Sequence, residues 1–199
     1  MRRRPDTVRA TVLRSAERRW APSPQAGVVR LGLERDHERL SRSATSIVRF
    51  APGRGFPRHL HHVGEEIFVL GGVFSDESGN FGPGTYLRNP AGSSHGPFSV
   101  EGCLIFIKLL PGYGVGRSVI ALTPATQIWT TTAEGLSQTA LHADEVETVA
   151  LHRLAPGATL PERAHPDGEE LLVIEGAVES DRFGPLGPLD WVRNPGPQG

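Results

Sequence analysis

Three histidines and a glutamate stand at spacings that can gather their side chains around one divalent cation. His59 and His61 are two residues apart, so on a strand they share a face. Glu65 follows Gly64, a residue that permits a tight turn, and the carboxylate can return toward the two imidazoles. His95 comes after Pro90 and Gly92, so a second hairpin can deliver it to the same place. Three imidazoles and one carboxylate suit zinc, iron, nickel, manganese or copper, because nitrogen and hard oxygen donors serve all of them. A His-rich surface loop is the plainer alternative, but it does not account for the agreement of spacing, turn residues and flanking strands. With an ionised Glu65 the site would carry a formal +1, which favours a small anion or an enolate as ligand. The chain offers no separate nucleophile, no Ser/His/Asp arrangement and no Gly-rich phosphate loop, so any chemistry runs through the metal, by polarising a carbonyl or activating water. Glu66 is expected to point outward, and His62 to face away from the ligands.

These side chains need strands to hold them. The 199 residues include 24 glycines and 17 prolines, and the apolar runs are short, a pattern of many strands joined by turns. Gly27 to Leu33, Thr45 to Ala51, Glu66 to Phe74 and Leu104 to Leu110 read as strands; Asp36 to Arg42 and Asp76 to Asn80 read as turns. Phe56, Phe68, Phe74 and Phe106 are expected to line a barrel interior. Cys103, the single cysteine, excludes an internal disulfide and sits in an apolar run, as a buried inert thiol would. Net charge is −1, so nothing global favours nucleic acid. No apolar run approaches the roughly 20 residues of a membrane helix, and none of signal type follows Arg2, Arg3 and Arg4; a cytoplasmic protein is expected. Residues 1–19 are Arg-rich without interleaved aromatics, which favours a loosely packed basic arm over a nucleic-acid contact, although Val8 to Leu13 alternates enough for an edge strand.

The second half repeats the first. Trp129 answers Trp20, Leu154 to Gly157 answers Phe50 to Gly53, Gly168 to Val173 answers Gly64 to Val69, and Val192 to Pro195 answers Leu87 to Pro90. A period of roughly 105 residues means a duplicated domain. In the second copy Arg163 stands in the place of His59, while His165 and Glu169 match His61 and Glu65, and the sequence reaches Gly199 before a counterpart of His95. The second unit is therefore expected to be metal-free and incomplete, and to cover the first. His37, His142 and His152 are isolated and read as surface or satisfied core histidines.

The residues resemble the two motifs of the cupin superfamily. Gly53, His59, His61, Glu65 and Gly72 fill the first; Gly84, Pro90, Gly92 and His95 fit the second, with Ser99 where an Asn is usual. The text around them, with Val73 to Glu77, Tyr86 to Pro90 and Gly102 to Lys108, is similar to the ChrR-like cupins. The resemblance implies an all-β fold of two tandem cupin barrels (double-stranded β-helix, or jelly roll), the second incomplete. The expected division is an arm at 1–19, a metal-bearing cupin at 20–112 and a degenerate cupin at 113–199. It also implies His59, His61, Glu65 and His95 as ligands of one divalent metal, zinc before iron, nickel or manganese. The family's anti-sigma factor holds a sigma factor inactive and its cupin binds zinc, which implies a small-molecule-binding or regulatory module. Its helical sigma-binding part, with a His/Cys zinc site, has no counterpart in residues 1–19. The alternative implied is a metal-dependent dioxygenase similar to cupins that cleave β-diketones or flavonols. Expected partners are an anionic or enolic small molecule, without nucleic acid or membrane, in a monomer or homodimer.

Overall fold

The computed structural model describes residues 10–35, 44–110, 114, 117–161, 165–166 and 168–196. The charged turn at 36–42, His37 and Arg163 lie outside the described residues. Apart from a 3-10 turn at Ser15–Glu17, the regular structure is strand.

The first half is built on a seven-stranded antiparallel sheet. Its spatial order is Ile120–Leu122, Tyr86–Asn89, Gly64–Gly72, Cys103–Leu110, Ala44–Phe50, Val28–Arg35 and Ala21–Pro22. A four-stranded sheet of Arg54–Gly55, Phe98–Ser99, Phe74–Asp76 and Gly79–Phe81 accompanies it, as does a short ladder of His59–Leu60 with Ser94–His95. Val28, Val48, Phe50, Ile67, Val69, Phe74, Leu87, Cys103 and Ile105 form the barrel core. Each such side chain contributes about 1.5–3 kcal/mol on leaving water. Burial pushes the Cys103 thiol up to about 11, which keeps it protonated and inert. Gly72 has φ +69°, and a Cβ there would lie 2.1 Å from the Gly102 carbonyl oxygen, so the chain can turn and approach closely only as glycine.

The aromatic reading needs a correction. Phe74 and Phe56 belong to the barrel core, but Phe68 and Phe106 do not. They lie opposite each other across neighbouring strands and pack outward, with Tyr86 and Leu141. Side chains alternate along a strand, and Ile67 and Val69 already point inward. Glu66 shares the outward face with Phe68, yet that face is covered: Glu66 is only 4% exposed. A sheet apolar on both faces does not tell from sequence which side is the barrel.

What covers the outer face is the second half. Leu136–Ala143 pairs with Thr130–Ala133 and Thr148–Leu154, and Glu169–Leu172 pairs with Trp191–Asn194. Leu141, Val149 and Leu151 pack against Phe68, Tyr86 and Phe106. The two halves also exchange a strand. Thr11–Leu13 pairs with the second half, Thr11 opposite Arg193 and Leu13 opposite Trp191. Ile120–Leu122 pairs with the first half, Ile120 opposite Arg88 and Leu122 opposite Tyr86. The equivalence of the two registers extends the repeat to the leading strands. It also supports the edge-strand reading of Val8 to Leu13 over that of a loose terminus, for the described residues. Trp20 under Arg49 and Trp129 under Arg153, at 4.3 and 3.7 Å from guanidinium carbon to ring centroid, repeat one cation–π contact in both halves. In the first half Cys103–Leu110 lies between Ala44–Phe50 and Gly64–Gly72. Among the described residues no strand joins their counterparts Thr148–Leu154 and Glu169–Leu172.

Charged pairs cross the same interface. Arg88 meets Glu147, Arg193 meets Glu34, and Lys108 Nζ lies 2.9 Å from Glu170. Glu66 accepts from Tyr86 Oη at 3.0 Å and Arg88 Nη1 at 3.2 Å; burial raises its carboxyl above the ordinary range, against the pull of Lys108 and Arg88. No helix among the described residues is long and apolar enough to cross a membrane.

Two outcomes are expected. Trp191→Ala, at a residue 1% exposed among Leu31, Leu33 and Ile47, lowers the unfolding free energy by about 3–5 kcal/mol in a denaturant titration. Asp190 fixes the leading segment: Ser15 N–H donates to it at 2.7 Å and Gly187 N–H at 3.0 Å. Burial works to raise its carboxyl, but these donors and Arg14 hold it below its ordinary value. A depressed folded-state value contributes stability that is present above about pH 4 and is lost as pH falls through the lower folded value. Urea midpoints measured from pH 6 downward should therefore fall less steeply in Asp190→Asn than in the parent.

Candidate metal centre

His59–Leu60 and Ser94–His95 are antiparallel neighbours with His95 directly opposite His59. Gly92, at φ +87°, makes the turn that returns the chain to this ladder, and the Gly92 and His61 backbones join across it, N–H of 92 to the carbonyl of 61 at 2.9 Å. The bend before Glu65 falls at His62 and Val63, while Gly64 is already the first residue of its strand, opposite Leu110. Glu65 then points into the barrel and His62 out to solvent.

The four side chains expected from sequence come together. Ring centroids are 5.3 Å apart for His59 and His61, 5.0 Å for His59 and His95, and 4.7 Å for His61 and His95. One donor atom from each of His59, His61, Glu65 and His95 lies within 4.8 Å of all the others, and the set could hold a metal ion. Glu65 Oε2 is 3.4 Å from His61 Nε2 and 3.4 Å from His95 Nε2. His61, Glu65 and His95 are buried; His59 is the most exposed of the four, at the mouth.

The outer nitrogens show which way the lone pairs face. Ser93 Oγ donates to the Pro90 carbonyl at 2.6 Å, so it accepts from His61 Nδ1–H, 3.0 Å away. His59 Nδ1 is 3.0 Å from the Pro57 carbonyl, which can only accept. His95 Nδ1 is 3.2 Å from Asp76 Oδ2. Each Nδ1 therefore carries the proton, and each Nε2 turns a lone pair inward. His61 Nε2 and His95 Nε2 are buried without a hydrogen-bond partner. Three lone pairs and a carboxylate facing one another call for a cation between them, so the residues fit a divalent metal on their own chemistry. Burial keeps the His61 imidazole below its usual value; Glu65 opposes this, and His95 and His59 add to it. Neutral imidazole is the form a metal takes. Burial works to raise Asp76, but its bonds with His95 and Ser78 hold it low, in the charged form that accepts from Nδ1.

Beside the donors lies a cavity of about 80 Å³, lined by His59, Glu65, His95 and mainly apolar neighbours such as Phe50, Ile67 and Ile105. A ligand there would reach the open side of the donor set. Sequence reasoning missed the orienting groups Ser93 and Asp76. Ser93 was legible as a hydroxyl inside the second motif, whereas Asp76 meets His95 only through the pairing of Phe98 with Ser75. Ser99, in the place of the usual Asn, is fully buried and donates to the Val73 carbonyl at 2.5 Å, a bond that holds strands rather than the site.

The second half keeps part of this pattern. His165 Nε2 lies 3.2 Å from Glu169 Oε1, and Asn194 donates to Glu169 at 3.3 Å much as Asn89 does to Glu65 at 3.4 Å. Among the described residues, no second cluster there could hold a metal. His142 is paired with Asp144 at 3.0 Å.

The sequence model of the family described as ChrR Cupin-like domain matches residues 8–112 and again 117–198. No curated protein matches the chain. Among solved structures, a Pseudomonas aeruginosa protein provisionally described as glyoxylate induced is similar, with 16% identity, TM-score 0.73, and 94% of this chain and 80% of that chain covered. A Nostoc punctiforme protein provisionally described as a dioxygenase has 19% identity and TM-score 0.70 over 94% and 75% of the two chains. The pirin YhhW of Escherichia coli, solved with nickel(II), has 11% identity and TM-score 0.57 over 96% and 91%. At these identities the likeness shows the fold alone.

In metal-free protein the buried Glu65 carboxylate faces inward lone pairs and keeps only a long bond from Asn89 Nδ2, at 3.4 Å, so it stabilises little. Glu65→Gln in the presence of a chelator should therefore unfold no earlier than the parent; a loss beyond about 1 kcal/mol would mean that Glu65 is kept for bonds of its own.

Proposed function

This chain belongs to the ChrR cupin-like family, and from that premise we propose that it is a divalent-metal-binding cupin acting as a small-molecule-binding module of regulatory type. The metal is held by His59, His61, Glu65 and His95. The observation that carries the reading is the inward orientation of three Nε2 lone pairs, two of them buried and unpartnered, around Glu65 Oε2. When bound, the metal supplies a Lewis acid with room for an exogenous oxygen donor. The chain's own residues do the rest. Pro57 carbonyl, Ser93 and Asp76 fix the imidazoles, and Ile67, Phe50 and Ile105 give the cavity an apolar wall. Zinc is expected first, since a module that binds and signals needs no redox change.

A dioxygenase acting on a β-diketone or flavonol is the second reading, and the cavity beside the donors favours it, because an enolate could enter there. Metal identity and oxygen uptake separate the two. Zinc without dioxygen consumption supports the module; iron with substrate-dependent uptake supports the oxygenase.

Elemental analysis of protein expressed in metal-replete medium should return one divalent metal per chain. His95→Ala should abolish stoichiometric retention. Asp76→Ala, which frees the His95 ring without removing a ligand, should weaken metal affinity by about 10–100-fold with the fold retained by circular dichroism. Metal-free parent protein after such expression would contradict the proposal.

A further inference from the structure

His59 and His95 sit on a ladder that has little to hold it. It consists of His59 opposite His95 and Leu60 opposite Ser94. So short a pairing is not stable by itself. Alternation sends the two imidazoles inward and Leu60 and Ser94 outward. On the outer side, polar contacts tie the ladder to a third segment, the hairpin of Phe74–Asp76 and Gly79–Phe81. Arg58 Nη1 donates to Glu77 Oε1 at 2.8 Å, and Arg58 Nη2 to Ser94 Oγ at 2.7 Å. Glu77 Oε2 accepts from Gly96 N–H at 3.0 Å. The three segments pass close together: a Cβ on residue 96 would lie 3.2 Å from Glu77 Oε1 and 3.5 Å from Arg58 Cα.

The positions of these contacts along the chain give them a use. Ser94 and Gly96 flank His95, and Arg58 directly precedes His59. Glu77 follows Asp76, which accepts from His95 Nδ1 at 3.2 Å. Each end of the contact chain is thus one residue from a donor or from the group that orients one. The Arg58 and Glu77 side chains are 62% and 49% exposed, and an ion pair so exposed adds little to global stability. Its effect is local, fixing the separation of the two strands that carry His59 and His95. Exposure also sets where an ion leaves. His61, Glu65 and His95 are buried, while His59 stands at the mouth. Release requires His59 to part from His95, and the contacts through Arg58 and Glu77 resist that motion.

We propose that Arg58 and Glu77 are positioning residues of the metal centre, a clasp across the outer side of the His59–His95 ladder that slows escape of the bound divalent ion. This rests on the metal reading above and adds how that same site retains its ion. Neither side chain is among the four donors; each acts through the backbone of the strands beneath it.

The test follows zinc release from full-length zinc-loaded protein into an excess of a chromophoric chelator. The melting temperature of the metal-free protein is measured beside it. Arg58→Met and Glu77→Ala should each release zinc at least about 5-fold faster than the parent, short of the roughly 10–100-fold affinity loss typical of a partner bonded to a ligand itself. Glu77→Gln can still accept from Gly96 N–H but loses the ion pair, so its rate should fall between; it serves if the alanine variant misfolds. The double variant Arg58→Met/Glu77→Ala should release zinc no faster than the faster single variant, because both changes open one clasp. Metal-free melting temperatures should match the parent's. Unchanged release rates, effects that multiply in the double variant, or faster release matched by a fall in metal-free melting temperature would overturn the clasp and leave the metal site standing. A parent chain that takes up no zinc overturns the reading beneath it and this inference with it.

Discussion

One strand pinned on both edges sets the terms for everything else. Gly64–Gly72 lies between Cys103–Leu110 and Tyr86–Asn89, and both of its faces are buried. The two-residue period of a strand then divides adjacent glutamates between two jobs. Glu65 faces the barrel and joins three imidazoles; Glu66 faces away and joins Tyr86, Arg88 and Lys108 beneath the second half. A slip of one residue would exchange them, placing Phe68 in the barrel and Ile67 at the interface, so register is strongly specified by burial. The four-residue cluster is as well positioned as that register, which is why a candidate site on short ladders and turns can still be defined.

The second half makes this possible without chemistry of its own. Its apolar residues cover the outer face of the sheet, and its half-buried acids meet cations of the first half, Glu147 with Arg88 and Glu170 with Lys108. The first half returns Glu34 to Arg193. Together with the reciprocal pairing of Thr11–Leu13 and Ile120–Leu122, this is the arrangement of two like units about an approximate twofold, carried in one chain. The second barrel lacks a strand between Thr148–Leu154 and Glu169–Leu172 among the described residues, and those strands are only half-buried at best. It serves as a cover for the first half's sheet.

Much of this was written in the chain. Period-2 spacing of His59 and His61, turn residues before His95, and the repeat of Gly-Glu-Glu at Gly64 and Gly168 carried the site, the fold and the duplication. The misreadings have one cause. Phe68 and Phe106 were placed inside by assuming a single buried face, and a sheet covered on both sides removes the polar alternation that would have corrected it; Glu66 does point away from the barrel, but under the second half rather than into solvent. Partners of the outer nitrogens were harder still, because Asp76 reaches His95 through a strand pairing distant in sequence.

The direct test of the central claim is a diffraction measurement at the absorption edge of the bound metal. The account predicts one anomalous peak per chain, about 2.0–2.2 Å from Nε2 of His59, His61 and His95 and from a Glu65 oxygen. A metal-bearing crystal with no peak at that point, or with its peak elsewhere in the molecule, would contradict it.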